Sequence, residues 1–136
     1  MLLVRHASAV AREDWDGDDL ARPLDERGLG QAVELVTTLA SYEIDGILTS
    51  PAVRCIDTVA PLAAARGLTL DEREDLDEEH HGLAGIALLT SLAAQNVVVC
   101  GHGGVEFALP DPPPRWRKGA VLVVDADLTV LAVLDP

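Results

Sequence analysis

Two histidines and two arginines of this sequence have the types and positions that phosphoryl transfer requires. Arg5 and His6 follow a short apolar run at the start of the chain, and His102 follows a longer one. Arg54 lies near the start of a predicted helix. One imidazole can attack phosphorus, while cationic side chains neutralise the equatorial oxygens of the phosphoryl group. These residues predict a metal-free phosphate site in which one of the two imidazoles is the nucleophile.

Two local features point to a bound anion at the same place. Arg54 occupies the first turn of its helix, where a cation is unfavourable by a few tenths of a kcal/mol up to ~1. An anion held between the helix end and the guanidinium would remove that conflict. Gly103, directly after His102, is expected to let backbone N–H groups approach an oxyanion.

The elements that must position these residues alternate between strands and helices. Strands are predicted at 1–4, 44–48, 68–70, 97–100, 120–124 and 128–134, and helices at about 25–40, 51–66 and 86–94. This order predicts an α/β fold in one domain over residues 1–136, with a mostly parallel sheet covered by helices on both faces. The last two strands are expected to form a β-hairpin. Ligands of such three-layer α/β/α sandwiches bind where parallel strands end, which is where both histidines are expected.

The sequence predicts two helices and one loop in more detail. The first helix is expected to begin at Asp25 as N-cap and to bury one face, which comprises Leu29, Ala32, Val33, Val36, Leu39 and Ala40. The second is expected to begin at Ser50-Pro51, with Ser50 as N-cap, and to end at Gly67. The acid-rich segment 71–79 is expected to be an exposed loop.

Charge and cysteine content limit the possible partners and location. The net charge of −13 would repel nucleic acid and anionic membranes, so neither is an expected partner. Cys55 and Cys100 lie in apolar surroundings without a CxxC spacing, which indicates small core residues in a reducing compartment. The sequence has no apolar stretch of about 20 residues and no signal-peptide pattern, so a cytoplasmic protein is expected.

The motifs resemble those of the histidine phosphatase superfamily, which has the phosphoglycerate mutase-like fold, and of its SixA-type branch in particular. The matching segments are Leu3-Val4-Arg5-His6-Ala7, Arg22-Pro23-Leu24 with Arg27-Gly28 and Gln31-Ala32, Ser50-Pro51 with Arg54-Cys55 and Thr58, and Val99-Cys100-Gly101-His102. They are similar to the family's RHG/RHA signature, to the RPLTERG..QA stretch of the SixA-type branch, and to the segments that carry the second arginine and the second histidine.

The resemblance implies a role for each matching residue. It implies that His6 is the nucleophile that becomes phosphohistidine, and that Arg5, Arg54 and His102 bind the phosphate without a cofactor or metal. Leu76-Asp77-Glu78, followed by Gly82, resembles the segment that carries the family's general acid, which would be Glu78.

The sequence departs from the family pattern at several positions. Ala7 replaces the usual glycine, and Arg12 stands where many relatives have an asparagine, so it either donates to the phosphate or faces solvent. The segment after Glu78 is too short for the lid of larger members. The substrate class therefore stays open among a protein phosphohistidine, a nucleotide and a sugar phosphate.

Other phosphatase and metal-site classes fit less well. Asp125-Ala126-Asp127-Leu128-Thr129 matches the DxDxT motif of magnesium-dependent haloacid-dehalogenase-type enzymes, but too little chain follows it, and a hairpin turn explains these aspartates better. A cysteine phosphatase needs an arginine six positions after the cysteine, where Pro61 and Glu106 stand. His80-His81 suggests a metal site only weakly, because adjacent side chains diverge in an extended chain.

One reading without catalysis also stays open. A phosphate-binding module on the same scaffold would have the arginine pocket but no turnover. The presence of both histidines argues against it, because a binding module does not need a nucleophile.

Overall fold

Six strands form one sheet at the centre of the protein, in the computed structural model that describes residues 1–78 and 83–136. They are β1 (Leu2–Arg5), β2 (Gly46–Thr49), β3 (Leu70–Glu72), β4 (Val97–Gly101), β5 (Val121–Val124) and β6 (Val130–Leu134). Their order is β3-β2-β4-β1-β5-β6. Strands β1 to β4 are parallel, whereas β5 and β6 pair antiparallel, as in the predicted mostly parallel sheet with a C-terminal hairpin.

Three helices cover the two faces of this sheet within the described ranges: α1 (Glu26–Thr38), α2 (Val53–Arg66) and α3 (Leu83–Leu92). The α1 and α2 side of the core contains Val4 of β1 and Val98 of β4. The α3 side contains Leu3 and Val99, because successive strand residues point to opposite faces. The predicted three-layer α/β/α sandwich is therefore confirmed. None of these helices is long and apolar enough to cross a membrane.

The register of the central strands brings the two histidine segments together. Strands β1 and β4 are parallel neighbours, and Arg5 is paired with Gly101 at their carboxyl ends. The backbone N–H of His6 donates to the carbonyl of Gly101 across 3.0 Å. His6 and His102 each follow one of these strands, so both leave the sheet at the same edge.

The predicted buried face of α1 is confirmed at Ala32 and Leu39, which are buried, and is wrong at Leu29, Val33 and Ala40, which are exposed. Leu29 is 54% exposed and Val33 is 63% exposed, whereas Gly28, Ala32 and Leu35 are buried. The reason is a close contact of the helix with the preceding loop, since a Cβ at Gly28 would lie 1.9 Å from the carbonyl oxygen of Ser8. This contact rotates the helix away from its most apolar stripe. The predicted N-cap is confirmed, because the side chain of Asp25 accepts from the N–H of Gly28.

The predicted start of α2 at Ser50-Pro51 is also wrong. The helix begins at Val53 with Ala52 as N-cap residue, and no side chain caps it. The Ser50 hydroxyl is bonded to His102 across 2.8 Å and also accepts from the N–H of Ala52 across 3.3 Å, so it contacts both the site and the backbone just before the helix. The predicted stop at Gly67 is confirmed, since this residue has the left-handed conformation at φ 64°.

The acidic segment after α2 is more ordered than predicted. It contains β3 and a 3₁₀ turn at Glu74–Leu76, and Leu76 is 1% exposed in the α3-side core. A Cβ at Gly101 would lie 4.0 Å from the carbonyl oxygen of Leu76. This anchor holds the chain just before Glu78 beside the carboxyl end of β4.

The Asp125–Thr129 segment is the turn of the C-terminal hairpin. The Asp125 side chain accepts from the backbone N–H groups of Asp127 and Thr129, each across 2.9 Å. Leu128 has a φ of 62°, as tight turns require. Asp125 and Asp127 thus belong to a hairpin turn, as expected.

Both cysteines, Cys55 and Cys100, are buried free thiols.

Candidate active site

His6 is held in the tautomer that leaves its outer nitrogen free. The ring is 6% exposed, and Nδ1 lies 2.8 Å from the carbonyl oxygen of Ala7. A carbonyl can only accept, so Nδ1 carries the proton and Nε2 keeps its lone pair. Burial lowers the pKa of His6 to about 3, opposed by the bond to Ala7 and assisted by the charges of His102, Arg54 and Lys118. The ring is therefore neutral at pH 7.

His102 is oriented by one bond to each ring nitrogen. Nδ1 lies 3.4 Å from Nη2 of Arg54, and Nε2 lies 2.8 Å from Oγ of Ser50. Because arginine can only donate, Nδ1 accepts and Nε2–H donates to the serine. The rings of His6 and His102 meet edge to face with centroids 5.5 Å apart. The two predicted histidines therefore share one site.

Arg54 is the most deeply buried cation of the site. It is 1% exposed, and its guanidinium donates to the Asp19 carbonyl across 2.8 Å. Its Nη2 also donates to the carboxylates of Asp19 and Glu78, across 3.2 and 3.1 Å. Its buried Nε has no partner within the described part of the chain. The expected anions beside this cation are thus two carboxylates of the protein itself.

Arg5 packs against the glycine that follows His102. Its Nη1 donates to the carbonyl of Trp116, and a Cβ at Gly103 would lie 2.9 Å from its Nη2. Gly103 is therefore needed for close contact with the guanidinium. The N–H of Gly104 donates to the carboxylate of Glu106 across 2.6 Å. Gly103 thus leaves room for Arg5, and Gly104 binds Glu106, beside the cavity.

Glu78 lies at the site, paired with two arginines. Both of its carboxylate oxygens accept from Nη2 of Arg12 across 2.9 Å, and one also accepts from Arg54. Of the two roles expected for Arg12, donation to a phosphate is the one its position allows, because its side chain lines the cavity beside Glu78. Residues 79–82 lie outside the described chain, and with them the pair His80-His81 and the predicted Gly82.

The site opens into a cavity of about 510 Å³. Its basic lining residues are Arg5, Arg12, Arg22 and Lys118, and its acidic ones are Glu13, Glu78 and Glu106. His6 and Gly103 also line it, whereas Arg54 and His102 lie beneath its floor, at 1% and 2% exposure. A pocket with His6 at its wall and cations around it is suited to a phosphate group.

Sequence reasoning assigned no role to several residues that the structure brings to this site. Arg22 is 5% exposed, lines the cavity and donates to Asp19 across 2.9 Å. Its place in the RPL motif was the available signal. Ser50 likewise belongs to a matching segment, whereas Asp19, Lys118 and Glu106 had no signal in the sequence, because only the fold brings them to this site.

A metal site is not formed by the part of the chain that the structure describes. No group of three or more histidine, cysteine, aspartate or glutamate side chains is arranged there to hold an ion. The expectation of a metal-independent reaction stays a prediction, which chelation can test.

Comparison with known proteins shows a family match and a similar curated protein. The family model of the histidine phosphatase superfamily, branch 1, matches residues 1–85. The relative is an 8-oxo-(d)GTP phosphatase of Mycolicibacterium smegmatis, which is 34% identical over 110 residues, 77% of this chain. The chain spans about a third of that protein's length, since the match covers 34% of it.

Solved structures match along nearly the whole chain. The protein histidine phosphatase SixA complexed with tungstate has a TM-score of 0.80 at 20% identity, covering 98% of this chain and 94% of that one. The putative phosphohistidine phosphatase SixA of Agrobacterium tumefaciens has a TM-score of 0.77 at 22% identity, covering 99% and 96%. At these identities the likeness concerns the fold, and it agrees with the predicted SixA-type architecture.

Proposed function

Because this chain belongs to the histidine phosphatase superfamily, we propose that it is a metal-independent phosphatase that carries the phosphoryl group on His6. The observation that supports this most directly is the environment of His6. Its Nδ1–H is bonded to the Ala7 carbonyl, its pKa is lowered to about 3, and its ring lines a cavity rich in arginine. Such an imidazole is an unprotonated nucleophile at neutral pH.

In the first step, Nε2 of His6 attacks the phosphorus of a bound phosphate ester. The new N–P bond forms as the P–O bond to the leaving group breaks, and the electron pair stays on the leaving oxygen. This oxygen needs a proton, and the candidate donor is Glu78, which must first bind a proton from water as the substrate takes its place at Arg54. Arg5 and Arg54 bind the transferred oxygens and stabilise their charge in the transition state. His102 binds one of these oxygens in the tautomer that carries its proton on Nδ1, in which Nε2 accepts from the Ser50 hydroxyl.

In the second step, water attacks the phosphohistidine. A new P–O bond forms, the N–P bond breaks, and the electron pair returns to Nε2 of His6. The carboxylate that gave up its proton in the first step accepts one from this water. Orthophosphate leaves, and the enzyme returns to its starting state.

The substrate must replace carboxylates that hold the arginines in the ligand-free protein. Nη2 of Arg54 is bonded to Asp19 and Glu78, so a phosphate has to compete with both for this donor. Phosphate can do so because it carries more charge and three acceptor oxygens. The substrate is a phosphorylated protein or small molecule, and nucleic acid and membranes are not proposed partners of a chain with net charge −13. The free thiols Cys55 and Cys100 fit a reducing compartment, so we include a cytoplasmic location in the proposal.

A non-catalytic phosphate-binding module is the alternative. It would need the arginines but not a neutral His6 with a free Nε2. Steady release of orthophosphate from p-nitrophenyl phosphate over many turnovers separates the two, with His6→Ala as the matched control. Binding of phosphate without turnover in the parent protein would favour the module.

The substrate class is best found by a screen over three groups of compounds. Phosphohistidine proteins are suggested by the SixA neighbours, and nucleotides by the M. smegmatis relative. Sugar phosphates form the third group. Comparing kcat/KM among the three identifies the class, and equal low values for all would leave only a general phosphatase activity.

A further inference from the structure

A second cavity adjoins the one that contains His6. It has a volume of about 460 Å³, and Arg5 and Lys118 line both cavities. Its other basic lining residues are Arg27, Arg115 and Arg117. Half of the chain's ten basic residues therefore line this one cavity, and none of its 23 acidic residues contributes a lining side chain within the described ranges.

The bases of this cavity lack the partners that arginines have elsewhere in the protein. Arg12, Arg22, Arg54 and Arg73 each pair with a carboxylate. In the described structure, Arg27, Arg115, Arg117 and Lys118 form no ion pair, although all four are exposed and the chain carries a large excess of acids. Unpaired cations are thus concentrated at one place on an otherwise acidic protein.

Such a concentration is unfavourable unless an anion binds there. Like charges that line one cavity repel one another, and Arg27 in addition lies in the first turn of α1, near the positive end of the helix dipole. Burial lowers the pKa of Lys118, and the charges of Arg5, Arg22 and Arg54 lower it further, opposed by the carboxylate of Asp25. Locally unfavourable features, such as these clustered cations, are expected where a bound ligand compensates for them.

The other polar lining residues are Ser8, whose hydroxyl donates to Asp25 across 2.6 Å, and Gln31. The side-chain oxygen Oε1 of Gln31 accepts from the backbone N–H of Ser8 across 2.9 Å. The NH₂ group of Gln31 is therefore the part left for a ligand, and it can only donate. Donors and cations line this cavity, as a phosphate group requires.

We propose that Arg27, Arg115, Arg117 and Lys118 form a second anion subsite, which binds a second phosphate group of the same small-molecule substrate. The inference rests on the proposed function, because it assumes that the reacting phosphate lies beside His6. The two cavities meet at Arg5 and Lys118, so one molecule can reach both. A concave cavity of this size favours a compact phosphate group over a flat acidic protein surface.

A series of bisphosphonates tests this subsite without requiring the natural substrate. Alkane bisphosphonates of two to six carbons are compared with methylphosphonate as competitive inhibitors of p-nitrophenyl phosphate hydrolysis at low salt. We expect one linker length to bind about tenfold more tightly than methylphosphonate, because it gains charge-assisted hydrogen bonds at the second subsite. No advantage at any length would overturn the proposal.

Single substitutions then show which residues cause the higher affinity of the bisphosphonate. Arg115→Gln and Arg117→Gln should each remove about three- to tenfold of the bisphosphonate affinity and leave methylphosphonate inhibition and p-nitrophenyl phosphate kcat/KM unchanged. Arg73→Gln is the matched control, since it changes the net charge equally but its partners are Asp71 and Asp75. An equal loss of bisphosphonate affinity in Arg73→Gln would mean that only the net charge of the protein matters, which contradicts a subsite.

Two further outcomes are distinguishable. If the arginine substitutions slow dephosphorylation of an acidic phosphoprotein while no bisphosphonate gains affinity, the cavity is a protein-docking surface and the proposal is wrong. If the protein has no phosphatase activity at all, the proposed function fails, but calorimetric titration with bisphosphonates and methylphosphonate still measures the subsite directly.

Discussion

The carboxylate of Glu78 accepts a hydrogen bond from Nη2 of Arg54 across 3.1 Å. The same nitrogen of this buried arginine lies 3.4 Å from Nδ1 of His102. The candidate general acid and a candidate phosphate-binding histidine therefore contact one guanidinium group. A phosphate held by Arg54 would lie beside Glu78, close enough for proton transfer to its leaving oxygen.

The role of Glu78 as general acid can be tested by comparing substrates with different leaving groups. An alkoxide is a poor leaving group and needs a proton, whereas nitrophenolate leaves readily without one. Glu78→Gln should slow hydrolysis of a sugar phosphate about 10²–10⁴-fold and that of p-nitrophenyl phosphate far less. Equal slowing of both substrates would mean that Glu78 only positions Arg12 and Arg54. Glu106→Gln is the control, because Glu106 is another carboxylate of the cavity.

His6→Ala should abolish turnover while the fold persists. The side chain supplies the nucleophile but makes only one hydrogen bond, to its neighbour Ala7. We expect kcat to fall at least about a thousandfold, with unchanged circular dichroism. In the parent protein, rapid quenching at neutral or basic pH should trap a phosphoenzyme that is labile to acid and stable to base. Full activity of the variant would exclude this mechanism.

The low pKa of His6 predicts how stability depends on pH. The unfolded side chain binds a proton near its ordinary value of 6.5, whereas the folded one does so only near 3. Its contribution is therefore present above pH 6.5 and is lost as the pH falls toward 3. Between pH 7 and 5 it should lower the free energy of unfolding by about 2 kcal/mol. Denaturant titrations measure this, and His6→Asn should show that much less acid destabilisation; identical curves would contradict the lowered pKa.

Asp19→Asn should strengthen binding of phosphate. Asp19 accepts from both Arg54 and Arg22, so its charge competes with a bound anion for these donors. We expect the inhibition constant of orthophosphate to fall about three- to tenfold. Asp16→Asn, a matched change of an exposed residue in the same loop, should leave it unchanged. Weaker binding in Asp19→Asn would mean that this carboxylate is needed to position the arginines.

Activity should survive removal of metal ions. In the proposed reaction the arginines supply the positive charge that a metal ion supplies in other phosphatases. Dialysis against EDTA is expected to leave p-nitrophenyl phosphate hydrolysis within about twofold of its starting rate, since no step of the proposed mechanism needs an ion. Loss of activity that magnesium restores would instead favour the Asp125 and Asp127 motif.

Residues defined by their own neighbours in the sequence were predicted well. His6 and His102 follow apolar strands, and the alternation of strands and helices indicates which edge of the sheet those strands share. Arg54 stands out in the sequence because a cation in the first turn of a helix is locally unfavourable. The structure brings these residues together with Arg5, Gly103 and Glu78, while their roles stay predictions.

Features that depend on one close contact were predicted less well. The apolar stripe of α1 suggested Leu29 and Val33 as buried residues, but the contact of Gly28 with the Ser8 carbonyl turns the helix the other way. Ser50 has the sequence context of an N-cap, yet its hydroxyl binds His102. In both cases a tertiary contact outweighs a local preference of at most about 1–2 kcal/mol.

The sequence by itself determined the fold class, the family resemblance and the residues that could bind and attack phosphate, because these follow from residue type, periodicity and short-range order. Only the tertiary structure decided which carboxylates face Arg54, since Asp19 and Glu78 lie 35 and 24 positions away from it. It also decided that Arg27 and the bases at 115, 117 and 118 share one cavity. Charges act through distance in space, and sequence separation does not reveal that distance.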